Sequence, residues 1–155
     1  MSGLRVEIIN PFITAVLHTF DTMVQCKVER SAPVLKTNPQ PLYPVSGIIG
    51  LTGQATGTVV VTMSTSLALR SASVMLMAEY TAIDADVLDA VGELTNIIAG
   101  HAKAQLEEYH LSLSMPNVIE GAGAIIHFPE RSRPITIPFN TEWGPLAVEL
   151  GFAEK

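Results

Sequence analysis

The chain has 155 residues, of which 48% are hydrophobic and 15% charged, which points to one folded domain over residues 1–155 and excludes both two ordinary domains and a disordered chain. Its formal net charge of −6, with nine Lys and Arg and no run of them, excludes the basic footprint of a nucleic-acid or anionic-membrane binder. The opening "MSGLRVEIINPFITAVLHTF" lacks the unbroken apolar run and cleavage site of a signal peptide, and no stretch of roughly 18 apolar residues occurs, so a cytoplasmic chain with no membrane span is expected.

Asn10 before Pro11 pairs an N-cap residue with one favoured at the first helical position. Phe12, Val16, Phe20, Met23 and Val24 then recur at helical spacing, predicting a first helix to about Arg30. Cys26, the single cysteine, cannot form an internal disulfide and reads as a small buried hydrophobe in that pattern. The stretch "PVLKTNPQPLYP" carries four prolines, which remove backbone donors, and is expected to be a surface loop.

"VSGIIGL" and "GTVVVTMS" are β-branched runs separated by "TGQAT" and predict a hairpin. Its glycines lack a P-loop lysine, so a turn is expected there and not a phosphate cradle. Ser64, Thr65 or Ser66 can cap a second helix through about Tyr80, with Leu67, Val74, Met75 and Met77 as apolar contacts. Asp84 can cap a third helix running to about His110, and Asp86 in its first turn suits the positive end of the helix dipole.

Beyond Pro116, "AIIHF", "ITIPF" and "LAVELGF" read as three strands divided by "PERSRP" and "NTEWGP". Consecutive hairpins predict an antiparallel sheet packed against helices, an α+β domain. The apolar strand "LAVELGF" and the hairpin strands would invite pairing with a second copy if they lay at an exposed edge.

The third helix carries the residues of greatest interest. Advancing about 100° per residue from Val87 puts Val91, Leu94 and Ile98 within about 40° of it, on the core face. Asn96, Asp89, Gly100 and Glu93 fall between about 180° and 240°, an exposed row opposite the core. Any amphipathic helix has a polar back, and most such backs serve only solubility. Here Gly92 and Gly100 each cost up to about 1 kcal/mol relative to Ala in a helix, and their missing side chains leave low ground for another protein's backbone. On residue pattern alone, a solvated face, a docking surface and a catalytic surface stay open.

Other chemistries find no support. His18, His101, His110 and His127 sit on separate elements or at spacings that do not converge two ring nitrogens on one helical face, so no metal site is expected, and His101 reads as a packed, hydrogen-bonded residue. Neither H-E-x-x-H nor G-x-S-x-G occurs.

"DAVGELTN" fits the signature Asp/Ser-x-x-x-Glu-x-x-Asn of the chemotaxis phosphatases of the CheC/CheX/FliY family, and "GELTNIIAGHAKAQL" resembles the helix that carries it. "INPFITAVLHTFDTM" is similar to the opening helix of CheX-type members, which, like this chain, carry one copy of the signature. The resemblance implies a CheC/CheX-like single domain and a phosphatase acting on the phosphorylated aspartate of a CheY-like response regulator. It carries the catalytic roles to Asn96, expected to orient the water, and Glu93, expected to pair with the regulator's lysine; Asp89 on the same row and the low ground at Gly92 and Gly100 are expected partner contacts. It implies no cofactor of its own, Mg²⁺ in the partner, and a homodimer formed through the sheets. Pro116 is the candidate for the family's downstream proline, but the spacing is short and it is left outside the catalytic set. The rival expectation is a non-enzymatic dimeric binding module that grips a regulator or another chemotaxis protein through the same row.

Overall fold

The computed structural model describes residues 6–121 and 123–155. Helix α1 spans Val6–Thr19 and continues into a π-helical turn, Phe20–Val24, that ends at Gln25 in the left-handed conformation. The helix therefore starts a turn before the predicted Asn10 cap, and Pro11 lies inside it. The reason is Ile8, buried four residues before Phe12, which extends the apolar stripe Ile8–Phe12–Val16–Phe20 and outweighs the backbone bond that Pro11 cannot make. The helix also stops short of Arg30: the amides of Gln25 and Cys26 both bond the Phe20 carbonyl and close the end. Cys26 is buried as expected, and burial pushes its thiol pKa up.

The proline-rich stretch is largely irregular, yet two-residue strands β1 (Glu29–Arg30) and β2 (Val34–Leu35), just before and within it, pair with β7 (Ile135–Thr141). The predicted hairpin is present as β3 (Val45–Thr52) and β4 (Ala55–Met63). Helix α2 (Thr65–Leu76) is capped by the Ser64 hydroxyl, which accepts from the Leu67 amide at 3.2 Å. It ends before Tyr80 because the amides of Met77 and Ala78 both bond the Ser73 carbonyl, and Met77, an expected core contact, stands 91% exposed.

Helix α3 (Ala85–Ala104) opens on Asp84, whose side chain accepts from the Val87 amide at 3.0 Å. Asp84→Ala is expected to cost about 1 kcal/mol, a fall in Tm of roughly 2–4 °C for a chain of this size by calorimetry. The helix ends earlier than His110: a 3-10 turn, Glu107–Tyr109, bends the chain back so that Tyr109 meets Phe152 edge-on at 5.2 Å. The chain then forms β5 (Ser112–Leu113) and β6 (Asn117–Glu120), both paired with β3, before β7 and β8 (Gly144–Glu154).

The sheet is antiparallel throughout, in the order β1-β7-β8-β4-β3-β5, with β2 also on β7 and β6 also on β3. This is the expected α+β fold. One face carries Met63, Leu146 and Phe139 in one cross-strand row and Val61, Val148 and Ile137 in the next, all buried. Helix α3 lies on that face, packed with α1 and α2.

The opposite face is also covered, by the loops 36–44 and 123–134. Tyr43 bonds Thr62 through both its amide and its carbonyl, and Ser46 bonds the same hydroxyl at 2.9 Å. Lys36 forms an ion pair with Glu149, whose residue is 1% exposed and which sits in the middle of β8.

"AIIHF" is not a strand. Ile126 bonds Pro39 and the His127 carbonyl accepts from Thr58, so the segment crosses over the sheet and fills the space above it with buried Ile126. The edge of β3 is taken instead by β6, which the sequence reading did not identify. The strand "LAVELGF" is central, between β7 and β4, and the β3–β4 hairpin is interior too, so their apolar character belongs to the core and not to an exposed edge.

Candidate functional site

Helix α3 presents its two faces as its spacing predicts. Val87, Val91, Leu94 and Ile98 are sealed in the core, while Asp89, Glu93 and Asn96 are exposed in one row. What sets this rotation is the meeting of Thr95 with Gly47 on β3. The Thr95 hydroxyl turns back to donate to the Val91 carbonyl at 2.8 Å, and its side chain lies where a Cβ on Gly47 would stand, 1.9 Å from the hydroxyl oxygen and 2.8 Å from its Cβ. With Thr95 pressed onto bare strand backbone and Val87, Val91, Leu94 and Ile98 in the core, Asn96 falls on the opposite side of the helix, exposed to water.

Gly47→Ala tests this seat. The new methyl would meet a stiff β-branched side chain, and overpacking of this kind costs about 1–3 kcal/mol or more. Thermal unfolding should show the loss. Thr95→Ala in the same chain should restore part of it by removing the nearest atom.

The two glycines differ. Gly92 is buried and turned toward the chain's own β6 segment, where an added Cβ would lie 3.2 Å from Val118 and 3.9 Å from Pro116. The low ground at Gly92 is thus bordered from within by the chain's own Val118 and Pro116. Gly100 is half-exposed with nothing within 4 Å of an added Cβ, and remains open.

Pro116 stands half-buried beside the row through its approach to Gly92, and its neighbour Met115 is 84% exposed. The spacing from Asn96 that kept Pro116 apart in sequence does not keep it apart in space. Its placement depends on β6, a strand without a strong sequence signal, so the residue pattern alone does not put it beside the row, although the family resemblance names it.

The histidines also depart from expectation. His18 on α1 and His101 on α3 stack, with ring centroids 5.0 Å apart and planes 16° from parallel. No group of three or more His, Cys, Asp or Glu able to hold a metal ion occurs among the described residues. His101 is packed, and its buried Nδ1 has no hydrogen-bond partner among the described residues.

A helix bearing an exposed acid and amide one turn apart, on a rigid sheet-backed seat, can enter another protein's pocket. Residues 45–140 match the family model described as chemotaxis phosphatase CheX, well over half of the chain. The chain belongs to the chemotaxis phosphatase CheX family. By that membership it is a phosphatase, a hydrolase. The CheY-P phosphatase CheX of Thermotoga maritima is 28% identical over 118 residues, covering 74% of this chain and 76% of the relative.

CheX structures superpose closely on the chain. That of CheX from Desulfovibrio desulfuricans is 35% identical, with a TM-score of 0.85 over 97% of this chain and 100% of the other. The CheX–CheY–BeF3–Mg²⁺ complex from Borrelia burgdorferi contains a chain 26% identical, with a TM-score of 0.81 over 97% of this chain and 100% of that one. The CheX family match covers β3 through most of β7 and so includes all of α3 and its exposed row.

Proposed function

We propose that this CheX family member hydrolyses the aspartyl phosphate of a phosphorylated CheY-like response regulator by inserting the exposed row of α3 into the regulator's active site. The observation that carries the proposal is the joint exposure of Glu93 and Asn96 on one face of a helix whose opposite face is sealed. The CheY-P phosphatase name of the Thermotoga relative and the CheX–CheY pairing in the Borrelia complex support the partner.

An aspartyl phosphate is an activated acyl phosphate, and phosphoryl transfer asks a protein mostly for positioning and charge neutralisation around an in-line attack. The regulator brings Mg²⁺ and a lysine, and this chain supplies the means to hold one water. The Asn96 carbonyl oxygen accepts a hydrogen bond from that water while its NH₂ donates nearby, with no negative charge set beside the phosphoryl oxygens. Glu93 carries such a charge, so it belongs one turn away, paired with the lysine. Asp89 adds a contact at the rim.

The same reading includes a cytoplasmic homodimer. No described helix is long and apolar enough to cross a membrane. Because β8 and the hairpin are interior, pairing between copies would use the edges at β1 and β2 or at β5 and β6.

The test is the decay of a phosphorylated regulator from the same cell, followed with and without this protein. Faster loss of the phosphoryl group supports the proposal. Binding with unchanged decay would replace it with a non-enzymatic module.

A further inference from the structure

The row from Asp89 to Gly100 extends eleven residues, or about 16 Å at the helical rise, and is one side chain wide. A specific interface covers on the order of 800 Å² on each partner, several times what such a stripe offers. A regulator seated on the row must therefore rest on neighbouring surface as well. Directly beyond Gly100 lies a cleft of about 530 Å³, formed where α3 ends and the 3-10 turn folds back, and lined by Gly100, Lys103, Ala104, Leu106, His110 and Leu111, with Glu107 also at its edge.

The cleft's chemistry identifies what it takes. Leu106 and Leu111 are buried residues that supply apolar lining, and Gly100 and Ala104 add walls without polar side chains. Lys103 and Glu107 bring charges of opposite sign, so the cleft has no single sign with which to select an ion. Gly100 belongs to both the row and the cleft, and its missing side chain leaves the passage between them open. We propose that this cleft receives an apolar side chain of the phosphorylated regulator, bordering the regulator's active site, and thereby selects which regulator is taken. The inference rests on the docking reading of α3 given above. Apolar anchors in well-packed pockets carry a disproportionate share of binding energy, and the cleft is the concave, apolar part of this surface.

The experiment uses the full chain and a regulator loaded with beryllium fluoride and Mg²⁺ as the phosphorylated mimic. Gly100→Leu and Ala104→Phe fill the cleft from two positions one turn apart on the α3 wall. Both should weaken binding of the mimic by about ten-fold or more, and in the decay assay the loss should fall on KM and not on kcat. Gly100→Leu replaces a poor helix former with a good one, so its Tm should hold or rise, which separates lost docking from damaged folding. If both variants bind the mimic as tightly as the parent, the cleft takes no anchor and the inference is overturned. Asn96→Ala distinguishes the two readings: lost turnover there beside unchanged binding in the cleft variants would sink the cleft alone, and the converse pattern would uphold the cleft and sink the catalytic assignment.

Discussion

Asn96→Ala is expected to leave a folded protein that still binds phosphorylated regulator and hardly hastens its decay. Removing one preorganised polar group that acts at the reacting centre commonly costs about 10²–10³ in rate, or roughly 2.7–4 kcal/mol of barrier. Ordering a single attacking water is a contribution of that order, so little acceleration should remain. The variant carries its own control. Asn96 is exposed in the middle of α3, and Ala is the better helix former by up to about 0.7 kcal/mol, so thermal stability should hold or rise while activity falls.

Glu93→Ala should behave differently. Its carboxylate acts through the regulator's lysine, and loss of a charged hydrogen bond worth about 1.5–3 kcal/mol should appear chiefly as binding weakened ten-fold or more. Asp89→Ala should change least. Phosphoryl decay measured over a range of regulator concentrations separates these effects, and parent-like clearance by folded Asn96→Ala and Glu93→Ala proteins would remove the catalytic assignment altogether.

The largest expected effect on stability lies on the other side of the molecule. Lys36 reaches from the proline-rich loop to Glu149 and also donates to the Gln40 carbonyl at 2.6 Å. The Lys36 side chain is 6% exposed and that of Glu149 is 1% exposed. One oxygen of Glu149 is paired with Lys36 and lies 3.5 Å from the Thr136 hydroxyl; the other is buried without a partner among the described residues. Lys36→Met would leave a carboxylate stranded in the centre of the sheet, a loss of about 3–5 kcal/mol. For a chain of this length that is a fall in Tm of roughly 6–20 °C.

Glu149→Leu should cost less than Lys36→Met, because Lys36 sits on a loop and its flexible stem can carry the ammonium out to water. The double variant Lys36→Met/Glu149→Leu should recover most of the loss, since an apolar pair of similar volume needs no compensation for desolvation. Calorimetry of the three variants decides it. A Lys36→Met protein within about 1 kcal/mol of the parent would mean that the pair is not sealed from water, because exposed pairs contribute no more than that.

The pattern of side chains along α3 determined most of what matters about this protein. The spacing of Val87, Val91, Leu94 and Ile98 defined one buried stripe, and helical geometry then required Asp89, Glu93 and Asn96 to lie opposite it. Asp84 was legible as a cap, and Ser64 as one of three candidates with Thr65 and Ser66, because a side-chain acceptor at a helix start satisfies a local amide. The β3–β4 hairpin was legible because its strands and turn are adjacent in sequence.

Whatever depended on contacts between distant segments had to await the tertiary structure. "AIIHF" has the composition of a strand, but β6 takes the β3 edge, a competition that no local propensity records. "LAVELGF" is as apolar as an exposed edge would be, and only its neighbours place it at the centre. Gly92 and Gly100 are the same residue eight positions apart on one helix; packing against Val118 and Pro116 fills the space at the first and leaves the second open. Side-chain identity and period settle which face of a helix is apolar, whereas the approach of remote backbone settles which gaps on that helix remain for a partner.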